Sequence, residues 1–144
     1  MTFRVVIDTN IWIRILLRGR VTLPILAAFN DNKFQLLMSQ PLLDEFHDVW
    51  NRPRLKQRIN ENQAIRIEQQ LKYRLIWVEV TTIPPNCRDT KDLPVLATAI
   101  DGQANLIVSG DDDLRADDTL RKEMEAFGIK LVGVNSFLEF LEDV

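Results

Sequence analysis
Short runs of branched aliphatic residues recur along this chain, and the longer segments between them carry apolar residues at every third or fourth position. The run at 3–7 is apolar but for Arg4 and rich in β-branched residues, the pattern of a strand buried on both faces. Asp8, Thr9 and Asn10 follow it with strong N-cap chemistry, which predicts a helix to about residue 17, stopped by Gly19. Pro24 suits the first turn of a second helix over 23–29, and "NDNK" breaks it. A second strand is predicted over 34–38. Ser39 then caps a helix whose Leu42, Leu43, Phe46, Val49 and Trp50 share one face, and Pro53 ends or restarts it.

The second half repeats the pattern. Ala64, Ile67 and Leu71 define an amphipathic helix over 60–73, followed by a strand over 75–80 and a loop over 81–91 that holds two prolines. Asp92 caps a helix over 94–100, and 105–108 reads as a fourth strand. A polar loop from Ser109, a helix over 119–127 ended by Gly128, a strand over 130–132 and a helix over 136–141 complete the chain. Strands alternating with helices predict an α/β fold around a parallel sheet, as one domain over 1–144 with no linker or repeat.

Composition narrows the setting more than the fold. Hydrophobic residues make up 46% and charged residues 27% of 144, ordinary for a soluble globular protein. The single cysteine, Cys87, excludes an internal disulfide and fits a reducing cytosol. No apolar run approaches the roughly 20 residues that span a bilayer, and the N-terminus reads as a strand rather than a signal peptide, so a cytoplasmic location is expected. The net charge of −3 opposes non-specific binding to nucleic acid. Two basic runs stand against it: Arg14, Arg18 and Arg20, then Arg52, Arg54, Lys56 and Arg58. Each alone reads as a solvated helix surface; together, in a chain with clustered carboxylates, they also fit contact with an RNA backbone.

The chemistry lies in four separated acids, Asp8, Glu45, Asp92 and Asp111. Asp8 and Asp111 each follow a buried-strand run, and in an open parallel sheet ligands bind outside the carboxyl ends of the strands. Carboxylates gathered there repel one another unless a hard cation joins them, and Mg²⁺ and Mn²⁺ take oxygen ligands. Each acid also has a structural explanation. Asp8 and Asp92 are in position to cap helices, and Glu45 sits beside an apolar stripe, where it needs a partner. Asp112, Asp117 and Asp118 read as a solvated charge run, while Asp113 is a further candidate ligand. Asn10 is placed to orient the Asp8 carboxylate. His47, two positions from Glu45 on the same helix, points elsewhere and reads as a boundary residue. Trp12, Trp50 and Trp77 read as core or interface, with Trp12 and Ile13 a possible dimer face. The expected chemistry is metal-assisted hydrolysis of phosphate esters, with a small ribonuclease foremost.

In order and spacing, "VVIDTNIWI", "SQPLLDEF", "KDLPVLATAI" and "LIVSGDDDL" resemble the four acidic motifs of PIN domains over nearly the whole chain. "CRDTKD" and the overall length are similar to the VapC-like toxins of bacterial toxin–antitoxin systems. The resemblance implies a three-layer α/β/α fold with a parallel sheet of about five strands. It also implies a Mg²⁺- or Mn²⁺-dependent endoribonuclease, often dimeric and held inactive by an antitoxin. Carried over by position, Asp8, Glu45, Asp92 and Asp111 match the metal-binding acids, Asp113 the less regular fifth acid, and Asn10 and Ser109 the supporting polar positions. Thr90, where relatives often have proline, and the early Pro94 depart from the pattern without removing an acid.

Other readings share parts of this pattern. The acids alone do not separate RNA from DNA as substrate, and a silent binding module on the same fold stays open. A phosphoacceptor receiver domain wants an Asp after the third strand, where this chain has Thr81, Thr82 and Ile83. An aspartyl phosphatase wants a second Asp two residues after the first, where this chain has Asn10.

Overall fold
The computed structural model describes residues 3–20, 22–82, 93–110 and 112–142. Its centre is a five-stranded sheet in the order β3-β2-β1-β4-β5, with every neighbouring pair parallel. The strands are β1 (Arg4–Ile7), β2 (Gln35–Met38), β3 (Ile76–Trp77), β4 (Leu106–Val108) and β5 (Lys130–Val132). The helices among the described residues are α1 (Thr9–Leu16), α2 (Leu23–Asn30), α3 (Gln40–Trp50), α4 (Pro53–Lys56), α5 (Glu61–Lys72), α6 (Leu93–Asp101), α7 (Asp112–Ala116), α8 (Asp118–Glu125) and α9 (Val134–Glu142).

Beyond Arg4, Gln35 and Lys130 at their first positions the strands are apolar, because helices cover both faces of the sheet. Successive side chains alternate between faces. Val5, Ile7, Leu36, Leu106 and Val108 therefore join one core with Ile11 and Ile15 of α1, Phe29 of α2, Ile67 of α5 and Phe137 of α9. Val6, Leu37 and Ile107 join the other with Val95, Leu96 and Ala99 of α6 and Leu120 and Met124 of α8. The result is a three-layer α/β/α fold. No helix among the described residues is long and apolar enough to cross a membrane.

The strand order decides where a ligand goes. The chain steps from β1 outward to β2 and β3, returns to β4 on the other side of β1, and continues to β5. The reversal opens a crevice between the carboxyl ends of β1 and β4, the switch point where open α/β sheets bind ligands. Ile7 pairs with Val108 there, and the Asp8 amide donates to the Val108 carbonyl at 2.9 Å.

Several elements differ from the sequence pattern. The strand expected over 75–80 is reduced to Ile76–Trp77, because β3 is an edge strand with only β2 to pair with. Trp77 is accordingly 53% exposed rather than core, whereas Trp12 and Ile13 are buried within this chain. Residues 112–116, expected as part of a polar loop, form α7, and the buried Leu114 anchors that turn. Asp117, expected as solvated charge, is the N-cap of α8: its carboxylate accepts from the Leu120 amide at 3.1 Å. Gly128 ends the α8 region with φ +77°, a conformation that costs glycine little.

Candidate active site
Asp8 occupies the N-cap position of α1, yet its side chain makes no capping hydrogen bond. Only 5% of its surface is exposed. Its Oδ2 instead accepts a hydrogen bond from the Ser109 hydroxyl at 3.2 Å, across from the end of β4. Ser109 is fully buried, and its amide donates to the Val132 carbonyl at 3.0 Å, so β5 fixes the hydroxyl that holds Asp8. The capping explanation for this aspartate therefore fails, and a buried carboxylate faces the switch point in a set orientation. Burying an anion is costly without partners, so a carboxylate kept there calls for a cation or donors.

Glu45 reaches the same region from α3. The hydroxyl of Thr9, the residue after Asp8, donates to Glu45 Oε2 at 3.3 Å. Thr9 is 3% exposed, so this contact lies beneath the surface and ties the start of α1 to the middle of α3. Asp44 and Asp48, on the same helix, are exposed, as their spacing predicts. His47 turns away from Glu45 and pairs with Glu68 of α5, Nε2 to Oε1 2.5 Å.

A buried chain of hydroxyls sets the position of α3. Ser39 caps the helix by accepting from the Leu42 amide, and its oxygen lies 2.7 Å from that of Thr98 in α6. Thr98 donates to the Pro94 carbonyl at 2.6 Å, so Ser39 supplies the proton between the two hydroxyls. Both side chains are fully buried. The link joins the helix carrying Glu45 to the helix that begins immediately after Asp92.

Among the residues expected at the site, the structure brings Asp8, Ser109 and Glu45 to one edge. Asn10 is exposed and makes no side-chain hydrogen bond among the described residues; Ser109 and Thr9 hold the two acids instead. Asp92 and Asp111 lie outside the described residues, and so does the side chain of Asp113. Among the described residues, no three acidic, histidine or cysteine side chains gather as a metal cluster. The donor set that is described consists of hard carboxylate oxygens, one of them buried, which fits a hard divalent cation.

Two residues at this edge make contacts that the sequence reading did not single out. Thr9 looked like part of a capping triplet, and its link to Glu45 crosses 36 positions. Arg14 looked like one member of a basic run, yet its guanidinium lies against Gly110, with nitrogens 3.1 and 3.2 Å from the point a Cβ would occupy. The signal for Arg14 was the glycine before Asp111, which leaves that strand end open to a close neighbour. The second basic run lies apart: Arg52, Arg54 and Arg58 line a groove of about 860 Å³ around α4.

No curated protein matches the chain. A family model for the PIN domain matches residues 4–113, from the first residue of β1 into α7, and so spans β1, β4 and the switch point between them. PIN domains are generally metal-dependent nucleases, in keeping with hard oxygen donors held at that edge. The chain belongs to the PIN-domain family.

Proposed function
We propose that this chain is a divalent-metal-dependent endoribonuclease that hydrolyses RNA phosphodiester bonds, and that it is the toxin of a toxin–antitoxin pair. The observation that carries the nuclease reading is the buried Asp8 carboxylate, held by Ser109 and not used to cap its helix. Glu45, tethered through Thr9, adds a second oxygen donor to the same edge. Asp8, Glu45, Asp92 and Asp111 would hold Mg²⁺ or Mn²⁺, with Asp113 as a further ligand. The bound ion supplies Lewis acidity, which offsets phosphate charge and eases loss of a proton from water.

The chain's own residues orient and position. Ser109 keeps one Asp8 oxygen occupied and leaves the carboxylate a fixed direction. Thr9 does the same for Glu45, and the Ser39–Thr98 link holds α3 at its distance from α6. His47, engaged with Glu68, is not placed to act as general base. An RNA substrate, a second copy of the chain and a proteinaceous antitoxin are the partners this reading carries, in the cytoplasm. The assignment to RNA rests on the resemblance of the four acidic motifs to PIN domains, and that to a toxin on the likeness of "CRDTKD" and the overall length to VapC-like toxins.

The test is cleavage of RNA and of single-stranded DNA by the purified chain, with Mg²⁺, Mn²⁺ or EDTA, beside Asp8→Asn. RNA cutting that needs the ion and is lost in the variant is the expected result. Cutting of DNA alone would reassign the substrate. Folded protein that cuts neither polymer and binds no divalent ion by calorimetry would leave a silent binding module in its place.

A further inference from the structure
We propose that Arg14 and Arg115 form a phosphate-binding arm beside the carboxylates, which guides the substrate strand across the carboxyl ends of β4 and β5. The proposal rests on the nuclease reading above and adds the direction in which the strand leaves the site.

Arg14 is exposed on α1 and makes no ion pair or side-chain hydrogen bond among the described residues. Its guanidinium lies directly over Gly110, next to the Ser109 that holds Asp8. A side chain at position 110 would displace it, so the bare backbone lets a cation sit at the rim of the switch point. Arg115, half-buried on α7, likewise lies against a glycine one strand further on. Its Nη1 lies 2.5 Å and its Cζ 3.1 Å from the point where a Cβ would sit on Gly133, at the end of β5. Both guanidiniums line one groove at the ends of neighbouring strands, where each can take a phosphate oxygen of the same backbone.

The space between them is a groove. Arg14, Ser109, Gly110, Arg115, Gly133 and Asn135 line about 460 Å³ of it. Beyond Arg115 it continues for about 400 Å³ past Arg121, Lys130 and Glu125. Among the described residues this strip carries more cations than acids, in a chain of net charge −3. Planar guanidiniums with hydroxyl and amide donors beside them recognise phosphate oxygens bidentately. The groove includes Ser109, whose hydroxyl holds the Asp8 carboxylate, and this link to the candidate nuclease site favours a polynucleotide backbone over an acidic peptide.

The test uses the whole chain in EDTA, so that no cutting occurs, with a fluorescein-labelled single-stranded RNA read by anisotropy over a series of salt concentrations. Arg14→Ala is expected to weaken binding about tenfold or more, the size of one charge-assisted bidentate contact. It should also lower the salt slope by about 0.7, one phosphate's share on a single strand. Arg14→Lys should recover the slope but only part of the affinity, and Lys33→Ala, an exposed cation in the turn before β2 at the opposite end of the sheet, should change neither. Alanine is a good helix former, so α1 survives the change; circular dichroism checks this. Equal affinity and slope in wild type and Arg14→Ala would overturn the arm and leave the nuclease reading standing. RNA binding that depends on Arg14, without cleavage under any ion, would uphold the arm and overturn the nuclease reading. Binding of polyglutamate but of no polynucleotide would overturn the arm in favour of an acidic peptide site.

Discussion
Ser109 has one hydroxyl proton, and it goes to Asp8. Ser109→Ala should therefore leave the fold in place, at a cost of about 1 kcal/mol for a lost buried hydrogen bond. It should lower metal affinity or kcat by roughly 10–100-fold, the usual effect of removing the group that orients a metal ligand. Calorimetric titration with Mn²⁺ beside steady-state cleavage checks this, and unchanged values in both would deny Ser109 an orienting role. The aspartate was legible in the sequence because strand end and helix start are local signals. Its freedom from capping was not, since that depends on a hydroxyl 101 positions away. Thr9 is the same case, because its partner Glu45 comes near only once α3 packs on α1.

At the scale of elements, the end of α6 holds the segment that leaves β3. The Asp101 carboxylate accepts from the Thr82 hydroxyl and from the amides of Thr81 and Thr82. The Thr82 hydroxyl foremost, then the Thr82 amide and more weakly that of Thr81, hold its pKa below the ordinary 3.8 against the opposite pull of burial. A carboxyl whose pKa is lowered on folding adds stability above its unfolded pKa and loses it as pH falls through the folded value. The advantage of wild type over Asp101→Ala should thus be full above roughly pH 5 and shrink steadily below about pH 4. Urea midpoints at about pH 6 and about pH 3 check it, and a gap that widens in acid would refute the contact. Helices with a regular apolar stripe, such as α5 with Ala64, Ile67 and Leu71, were legible to within a residue or two. The element α7 was not, because three successive aspartates look like solvated charge until Leu114 finds its place in the core.

At the scale of the whole molecule, the two cores lock the helices to the sheet. Phe137 of α9 is fully buried and meets Phe34 edge-on at a centroid distance of 5.2 Å. Phe137→Ala should lower unfolding free energy by about 3–5 kcal/mol, through lost burial and the cavity left behind. Denaturant unfolding measures it, and a loss under about 1 kcal/mol would mean that α9 is not integral to the core. The sequence by itself determined most element types, α7 excepted, together with the buried strands and the acids that follow strand runs. Each of these follows from periodicity and capping within a few residues. Only the tertiary structure decided that β4 lies beside β1, so that Ser109 meets Asp8, Thr9 meets Glu45, and Arg14 lies over Gly110. Those contacts depend on strand order and helix packing, which join positions far apart in the chain.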